Sequence, residues 1–478
     1  MTQPSPSSGT TPEVRLDALP VTRRHVRLLL GSGVGWTFDA MDVGLISFVI
    51  AQLAVVWGTD ASALGWVASA GFVGMAVGAA LGGLLADRIG RRQVFALTLL
   101  VYGLATGASA LAGTVAVLMV LRFVVGLGLG AELPVASTLV SEFAPPRIRG
   151  RAVVVLESFW AVGWILAALI GYLVVPSGDD GWRWALALGA LPALYAVVVR
   201  RGLPESVRFL QARGRHDEAD AVVASFETSR AVGRGGLTGA QVRDAAVADD
   251  APAVTDPADA PAAAPSSSVS SAASSTASST TRTRVGALFA PALRRRTTAL
   301  WVVWFTVNFA YYGAFIWLPS LLLADGHTLV RSFEYTLIIT LGQLPGYAAA
   351  AVLVETWGRR RTLAAFLAGS ALAAGLFAAA SGDAQVIGAG LLLSFFNLGA
   401  WGALYAVTPE LYPTRVRTTG AGWAAGIGRT ASVLAPLLVP YLRGAGGTSL
   451  LFGVFAAVFV VAALGALALP ERAGASLD

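Results

Sequence analysis

The 478-residue chain has no cysteine, and its 34 basic residues are all arginine, with no lysine. The missing cysteine excludes disulfides, a thiolate nucleophile and cysteine metal sites. The only histidines, His25, His216 and His327, stand far apart and outside the apolar runs, so no metal site and no catalytic residue is readable. Charge is scarce too: 13% of residues are charged, where a soluble domain carries about 25%. With 55% hydrophobic residues and a mean hydropathy of +0.68, such a chain could not cover a surface in water. Lipid must solvate most of it. Met1 to Pro20 lacks the apolar core of a cleavable signal peptide, so the first apolar helix is expected to direct insertion.

What the chain does have is apolar runs of about 20 residues, the length that crosses a bilayer. Six lie near 27–56, 65–86, 93–112, 115–143, 152–175 and 183–201. Six more lie near 297–323, 333–357, 362–381, 386–411, 419–443 and 448–469. Inside lipid each must be helical, because only a helix satisfies its own backbone. The predicted fold is therefore all-α, with twelve transmembrane helices in two six-helix halves. The division runs 1–26 for an N-terminal tail, 27–201 for the first half, 202–296 for a linker, 297–469 for the second half and 470–478 for a C-terminal tail. The linker starts with mixed charge at helical spacing from Glu205 to Phe226, which predicts amphipathic helices. From Ala251 to Thr281 it is Ala/Ser/Thr/Pro-rich without aromatics and reads as disordered.

The arginines cluster in every second connection: Arg23, Arg24 and Arg27; Arg88, Arg91 and Arg92; Arg147, Arg149 and Arg151; Arg359, Arg360 and Arg361; Arg415 and Arg417. The alternate connections carry mainly Asp60, Asp179, Asp180, Asp325 and Asp383. The positive-inside rule then predicts both termini in the cytoplasm. The net charge of +6 thus reflects topology, and no nucleic-acid partner is expected. The absence of lysine with abundant Ala and Gly suggests a GC-rich bacterial genome, hence a bacterial inner membrane.

The halves repeat one another. Asp87-Arg88-Ile89-Gly90-Arg91-Arg92 is echoed 268 positions later by Glu355-Thr356-Trp357-Gly358-Arg359-Arg360. Glu142, Pro145, Arg147 and Arg149 are echoed at the same spacing by Glu410, Pro413, Arg415 and Arg417. Leu203-Pro204-Glu205 has its echo in Leu469-Pro470-Glu471. Three matches in register, each after an even-numbered helix, indicate a duplicated six-helix unit, as in transporters built from parallel repeats. Asp87, Arg91, Glu142 and Arg149, with the twin set Glu355, Arg359, Glu410 and Arg417, are predicted to form conformational gating networks.

The stretch Gly83 to Arg92 resembles the helix 2–3 signature of the major facilitator superfamily. Pro204 to Leu210 is similar to the P-E-S-P-R-W/F-L sequence of its sugar porters and organic-ion transporters, with Val207 in place of proline. Phe38 to Asp42, Arg122 to Pro134 and Asn308 to Pro319 resemble the aromatic acid:proton symporters and niacin-type metabolite transporters. The resemblance spans both halves but not the linker. It implies alternating access around a cleft lined by helices 1, 4, 7 and 10.

Ionisable groups within membrane helices are costly and usually functional. Asp39 lies roughly 18 Å into the first helix at 1.5 Å per residue. Asp42 follows one turn on, and Glu132 lies midway along the fourth helix. These three are the predicted proton-coupling groups. Arg122 and Arg429 could clamp a substrate carboxylate with a planar fork. Asn308, Tyr311, Tyr312, Trp401 and Tyr405 are the predicted substrate contacts, with Trp317 and Asn397 also on those helices. Trp301 and Trp317 are alternatively expected in the interfacial belt. Glu157, placed a turn or so into the fifth helix, is expected to be interfacial packing. Gly126, Gly128 and Gly130 mimic a phosphate loop but sit in an apolar run without a following lysine, so close helix packing is expected.

The function expected is proton-coupled symport of a small organic anion, an aromatic or nicotinate-like acid. The partners are a small-molecule solute, protons and the bilayer. No cofactor beyond the proton gradient and a monomeric state are expected, and no enzyme activity. A sugar porter is the alternative within transport, disfavoured because the seventh helix carries Asn308 and tyrosines instead of paired glutamines. An organic-cation or drug transporter is the next alternative, and a non-transporting solute receptor is the alternative of another class.

Overall fold

A computed structural model of the chain describes residues 11–233, 237–242, 286–413 and 416–471. The stretch 251–281, most of the polar segment before Pro20, Arg415 and residues 472–478 lie outside the described residues.

Ten helices are long and apolar enough to cross a membrane. One of them, Thr419–Leu467, is broken by non-helical backbone at Gly446 and Gly447, so it supplies two spans. A further helix, Arg91–Ser109, opens on Arg91, Arg92 and Gln93, which dilute its hydropathy. The twelve expected spans are thereby accounted for. In chain order they are α1 (Arg23–Val56), α2 (Ala61–Ile89), α3 (Arg91–Ser109), α4 (Val115–Phe143), α5 (Arg149–Leu173) and α6 (Gly181–Gly202). The second half supplies α7 (Arg294–Ala324), α8 (Leu329–Thr356), α9 (Arg359–Ala378), α10 (Asp383–Glu410), α11 (417–445) and α12 (448–467). Large apolar side chains such as Leu84, Val120, Leu194 and Leu372 are exposed in mid-helix. In water these would be a liability, whereas against lipid they are the solvated face.

Helix starts follow local chemistry. The Asp60 carboxylate accepts from Ser62 N at 2.7 Å and Ala63 N at 3.0 Å, and the Thr114 hydroxyl accepts from Val117 N at 3.3 Å. Both satisfy amides that a helix leaves unpaired in its first turn.

Packing repeats as the sequence does. α2 lies on α4 and α8 on α10; α1 lies on α5 and α3 on α6; α7 meets α11 through Asn308 and Ser432, and α9 meets α12 through Phe377 and Phe452. Gly126 and Gly130 of α4 sit in the α2 interface, where a Cβ on Gly74 would meet Gly126 Cα and Leu127 N at 3.0 Å, and Gly128 faces α3. A Cβ on Gly128 would meet Tyr102 Cβ at 2.8 Å. Close helix approach therefore explains these glycines.

The halves meet through α1–α7, α2–α11 and α5–α8. At the end away from the arginines, Ser69 Oγ donates to Val433 O at 2.8 Å and Phe48 lies edge-on to Phe333 at 5.1 Å. Trp317 is buried there and donates Nε1–H to Pro436 O at 3.2 Å, so it is a packing residue and not part of an interfacial belt. Trp301 is half-buried and stacks on Trp423.

At the arginine end, the linker forms the helices Val207–Ala212 and His216–Glu227, in keeping with their spacing. Ala219, Val223 and Phe226 make the buried stripe of the second. The short helix Pro12–Asp17 is tied to it: Arg15 contacts Glu227 at 2.7 Å and Asp220 at 2.8 Å.

Candidate functional site

Helical spacing places Asp39 and Asp42 one turn apart on α1, but tertiary packing gives them different partners. Asp42 is fully buried, accepting from Arg122 Nη1 at 2.9 Å and from the Thr106 hydroxyl at 2.5 Å. Arg122, expected as an anion clamp, is thus already committed to a carboxylate of its own half.

Asp39 and Glu132 are equally buried; none of their four carboxylate oxygens is in hydrogen-bond geometry with a donor among the described residues, and the hydroxyls that lie beside them are those of Tyr102 and Thr98. They interact with each other and with Tyr102, whose hydroxyl is likewise unpartnered. Gly35 makes the approach possible. It lies one turn before Asp39, and a Cβ there would stand 2.8 Å from Glu132 Oε1. Of the three predicted proton-coupling residues, Asp39 and Glu132 therefore form one group, and Asp42 belongs to another.

The second cluster lies where the halves touch. Tyr311 accepts from Trp160 Nε1 at 3.1 Å and packs against Trp401 at 5.1 Å, Tyr312 at 5.0 Å and Trp164 at 5.7 Å. Tyr312 lies edge-on to Phe72 of α2 at 4.6 Å. Trp304 meets Tyr405 at 5.2 Å. Tyr311, Tyr312 and Trp401 are buried, so they face the interior and not lipid. Asn308 is also buried, but both ends of its amide are used: Nδ2 donates to Trp304 O at 2.8 Å and Oδ1 accepts from Ser432 Oγ at 3.1 Å. It joins α7 to α11. Asn397, one turn before Trp401, has both amide atoms buried and unpartnered.

Two charges act on this aromatic cluster, Glu157 and Arg429. Arg429 Nη1 lies 4.0 Å from Met75 Sδ of the opposite half, and its guanidinium interacts with Tyr312 and Glu157. Glu157 is buried, and its Oε1 has no partner. Its expected role as interfacial packing is therefore corrected. α5 begins at Arg149, so Glu157 is more than two turns in, about 12 Å at 1.5 Å per residue. The signal was readable: Glu157, Trp160 and Trp164 stand at i, i+3 and i+7, one face of a helix. Gln343 and Tyr347 of α8 were missed for a different reason. They touch the cluster only through tertiary packing, Gln343 beside Tyr311 and Tyr347 beside Glu157.

Comparison with known proteins decides what this bundle is. The family model described as "Sugar (and other) transporter" matches residues 42–478. The chain belongs to that transporter family. It is 43% identical to the niacin transporter NiaP of Acinetobacter baylyi, over 97% of this chain and 98% of that one. It is 42% identical to a putative niacin/nicotinamide transporter of Bacillus subtilis, over 94% and 95%. Its fold matches the partially occluded inward-open xylose transporter XylE from E. coli with a TM-score of 0.71 at 18% identity, covering 95% of this chain and 99% of that one. Another XylE structure names that protein an MFS (major facilitator superfamily) proton:xylose symporter. The chain is thus a multi-pass membrane transporter of small solutes, not an enzyme.

The transporter's repeated loop motifs have matching geometry. Arg91 reaches Glu142 at 3.7 Å and Asp87 at 3.5 Å, and Arg359 reaches Glu410 at 3.0 Å. Glu142 also accepts from the Ser206 hydroxyl. Arg149 Nε donates to Ala144 O and Arg417 Nε to Tyr412 O, each at 3.3 Å and each five residues back. Arg149 thus stands apart from the Arg91–Glu142 cluster, bound instead to Asp17 at 2.8 Å. Glu355 leaves its own repeat altogether and takes Arg151 of α5. The third echo is a pair of caps. Glu205 Oε1 accepts from Arg91 N at 2.8 Å and Arg92 N at 3.2 Å, and Glu471 Oε1 accepts from Arg359 N at 3.1 Å. Each carboxylate sits at a helix N-terminus, where charge and free amides favour it.

Proposed function

We propose that the transporter carries a small organic anion, an aromatic or nicotinate-like acid, in symport with a proton by alternating access. The observation that carries the coupling is the Asp39–Glu132 pair. Two ionised carboxylates with only hydroxyls beside them and no cation to balance them cannot be held together away from water, because burial of uncompensated charge is prohibitive. A proton must accompany them when dry and can leave when the cleft opens to water. Arg429 beside the tyrosines and Trp401 supplies a cationic, aromatic-walled place for the acid. Two relatives named for niacin support that substrate class.

The same reading puts the arginine-rich end in the cytoplasm of a bacterium, with the chain in the inner membrane as a monomer needing only the proton gradient. It divides the chain into halves at 27–201 and 297–469, with the linker at 202–296. The test is uptake into proteoliposomes under an imposed pH gradient. Asp39→Asn or Glu132→Gln should abolish gradient-driven uptake while exchange of solute across the membrane persists. Intact gradient-driven uptake in both variants would overturn the coupling.

A further inference from the structure

We propose that Glu157 is a specificity-determining residue that reads the ring of the acid, selecting acids whose ring carries a nitrogen able to share a proton with it. The inference rests on the substrate reading above and starts from charge balance. Glu157 and Arg429 come from opposite halves, and Arg429 is the cation that acts on Glu157. Both act on Tyr312 and Tyr405, so the two charges share the same aromatic neighbours. Trp160 and Trp164, on the Glu157 face of α5, pack against Tyr311 from the other side.

An anion that takes Arg429 removes Glu157's countercharge. With a plain aryl carboxylate the balancing proton can sit only on Glu157, where it finds no acceptor and remains a buried polar group without a partner. An acid with a basic ring nitrogen solves this. Its carboxylate binds Arg429, and one proton lies between the ring nitrogen and a Glu157 oxygen. The charges of Arg429, Glu157, acid and proton then sum to zero. Glu157 Oε1, buried and unpartnered, is the free acceptor this requires. A flat six-membered ring is what stacked and edge-on aromatics accommodate.

The experiment uses two probes of one shape, nicotinate and benzoate, which differ by a ring nitrogen for a C–H. Affinities are measured on the purified full-length transporter, with Glu157→Gln and Glu157→Asp as variants. The unaltered protein should prefer nicotinate by about tenfold or more, the scale of a hydrogen bond to a charged group. Glu157→Gln should erase most of that preference by weakening nicotinate while benzoate is held or improved, and Glu157→Asp should keep part of it. Equal affinity of the unaltered protein for the two probes would overturn the proposal even if no variant folds. So would an unchanged ratio in Glu157→Gln. In both cases transport of organic acids would stand. If neither probe binds nor moves, the substrate reading fails, and this inference fails with it.

Discussion

Glu355 holds Arg151 across the junction of the two halves with paired contacts of 2.9 and 2.8 Å, whereas its repeat counterpart Asp87 stays beside Arg91. The duplicated motif is therefore used asymmetrically: one copy braces its own half and the other ties the halves together at the arginine-rich end.

That pair is exposed, so its contribution to stability is small, about 0.2–1 kcal/mol. Its effect falls on the balance of states, because the contact exists only when the ends of α5 and α8 are together. Glu355→Ala should raise the accessibility of that end, and the swap Arg151→Glu with Glu355→Arg should restore it. Since the chain has no cysteine, labelling of a single cysteine placed at Ser158 reads the change directly. Equal labelling rates in all forms would remove the pair from gating.

The two caps make a second comparison. Glu205→Ala should cost about 1 kcal/mol, as loss of an N-cap does. Glu471→Ala should cost less, because Glu471 is exposed and accepts from one amide of the helix it caps, Arg359 N, where Glu205 accepts from two, Arg91 N and Arg92 N. Gly90, at φ +104°, should tolerate no side chain, since a Cβ there is both strained and pressed against Glu205 and Phe209. Thermal unfolding in detergent would rank the three.

Asp42→Asn should destabilise the first half by about 3–5 kcal/mol, because Arg122 would be left buried without its carboxylate. Adding Arg122→Met should recover most of this loss. If the double variant is no more stable than the single, the pair is not an isolated unit.

Gly74→Val should prevent assembly of the first half. The obstacle is backbone of α4, including Phe123 O and Gly126 Cα, and backbone cannot step aside as a flexible side chain can. Gly83→Val, with open space around the glycine, should be tolerated. Comparable yields of folded protein from both would show that α2 and α4 are not in contact as described.

Much of the candidate site was legible because its signal is local. Asp39, Asp42, Glu132, Arg122 and Arg429 are conspicuous as charges in apolar runs, and Tyr311, Tyr312 and Trp401 fall on the helices that resemblance assigned to the cleft. Their partners were not legible. Asp42 rather than Asp39 takes Arg122, and Asn308 is occupied by Trp304 O and Ser432. Arg149 is bound to Asp17 of the N-terminal segment. Each pairing depends on how helices distant in sequence are rotated against one another, which no window along the chain contains.

By itself the sequence settled the membrane environment, the twelve spans and the doubled architecture, since length, hydropathy and repeat spacing are properties of the chain read in order. Tertiary structure alone decided that two carboxyls, Asp39 and Glu132, share one buried place, and that the charge of Arg429 acts on Glu157 among the tyrosines. In a bundle, side-chain partners are set by helix rotation and crossing, and these emerge only when the surfaces pack.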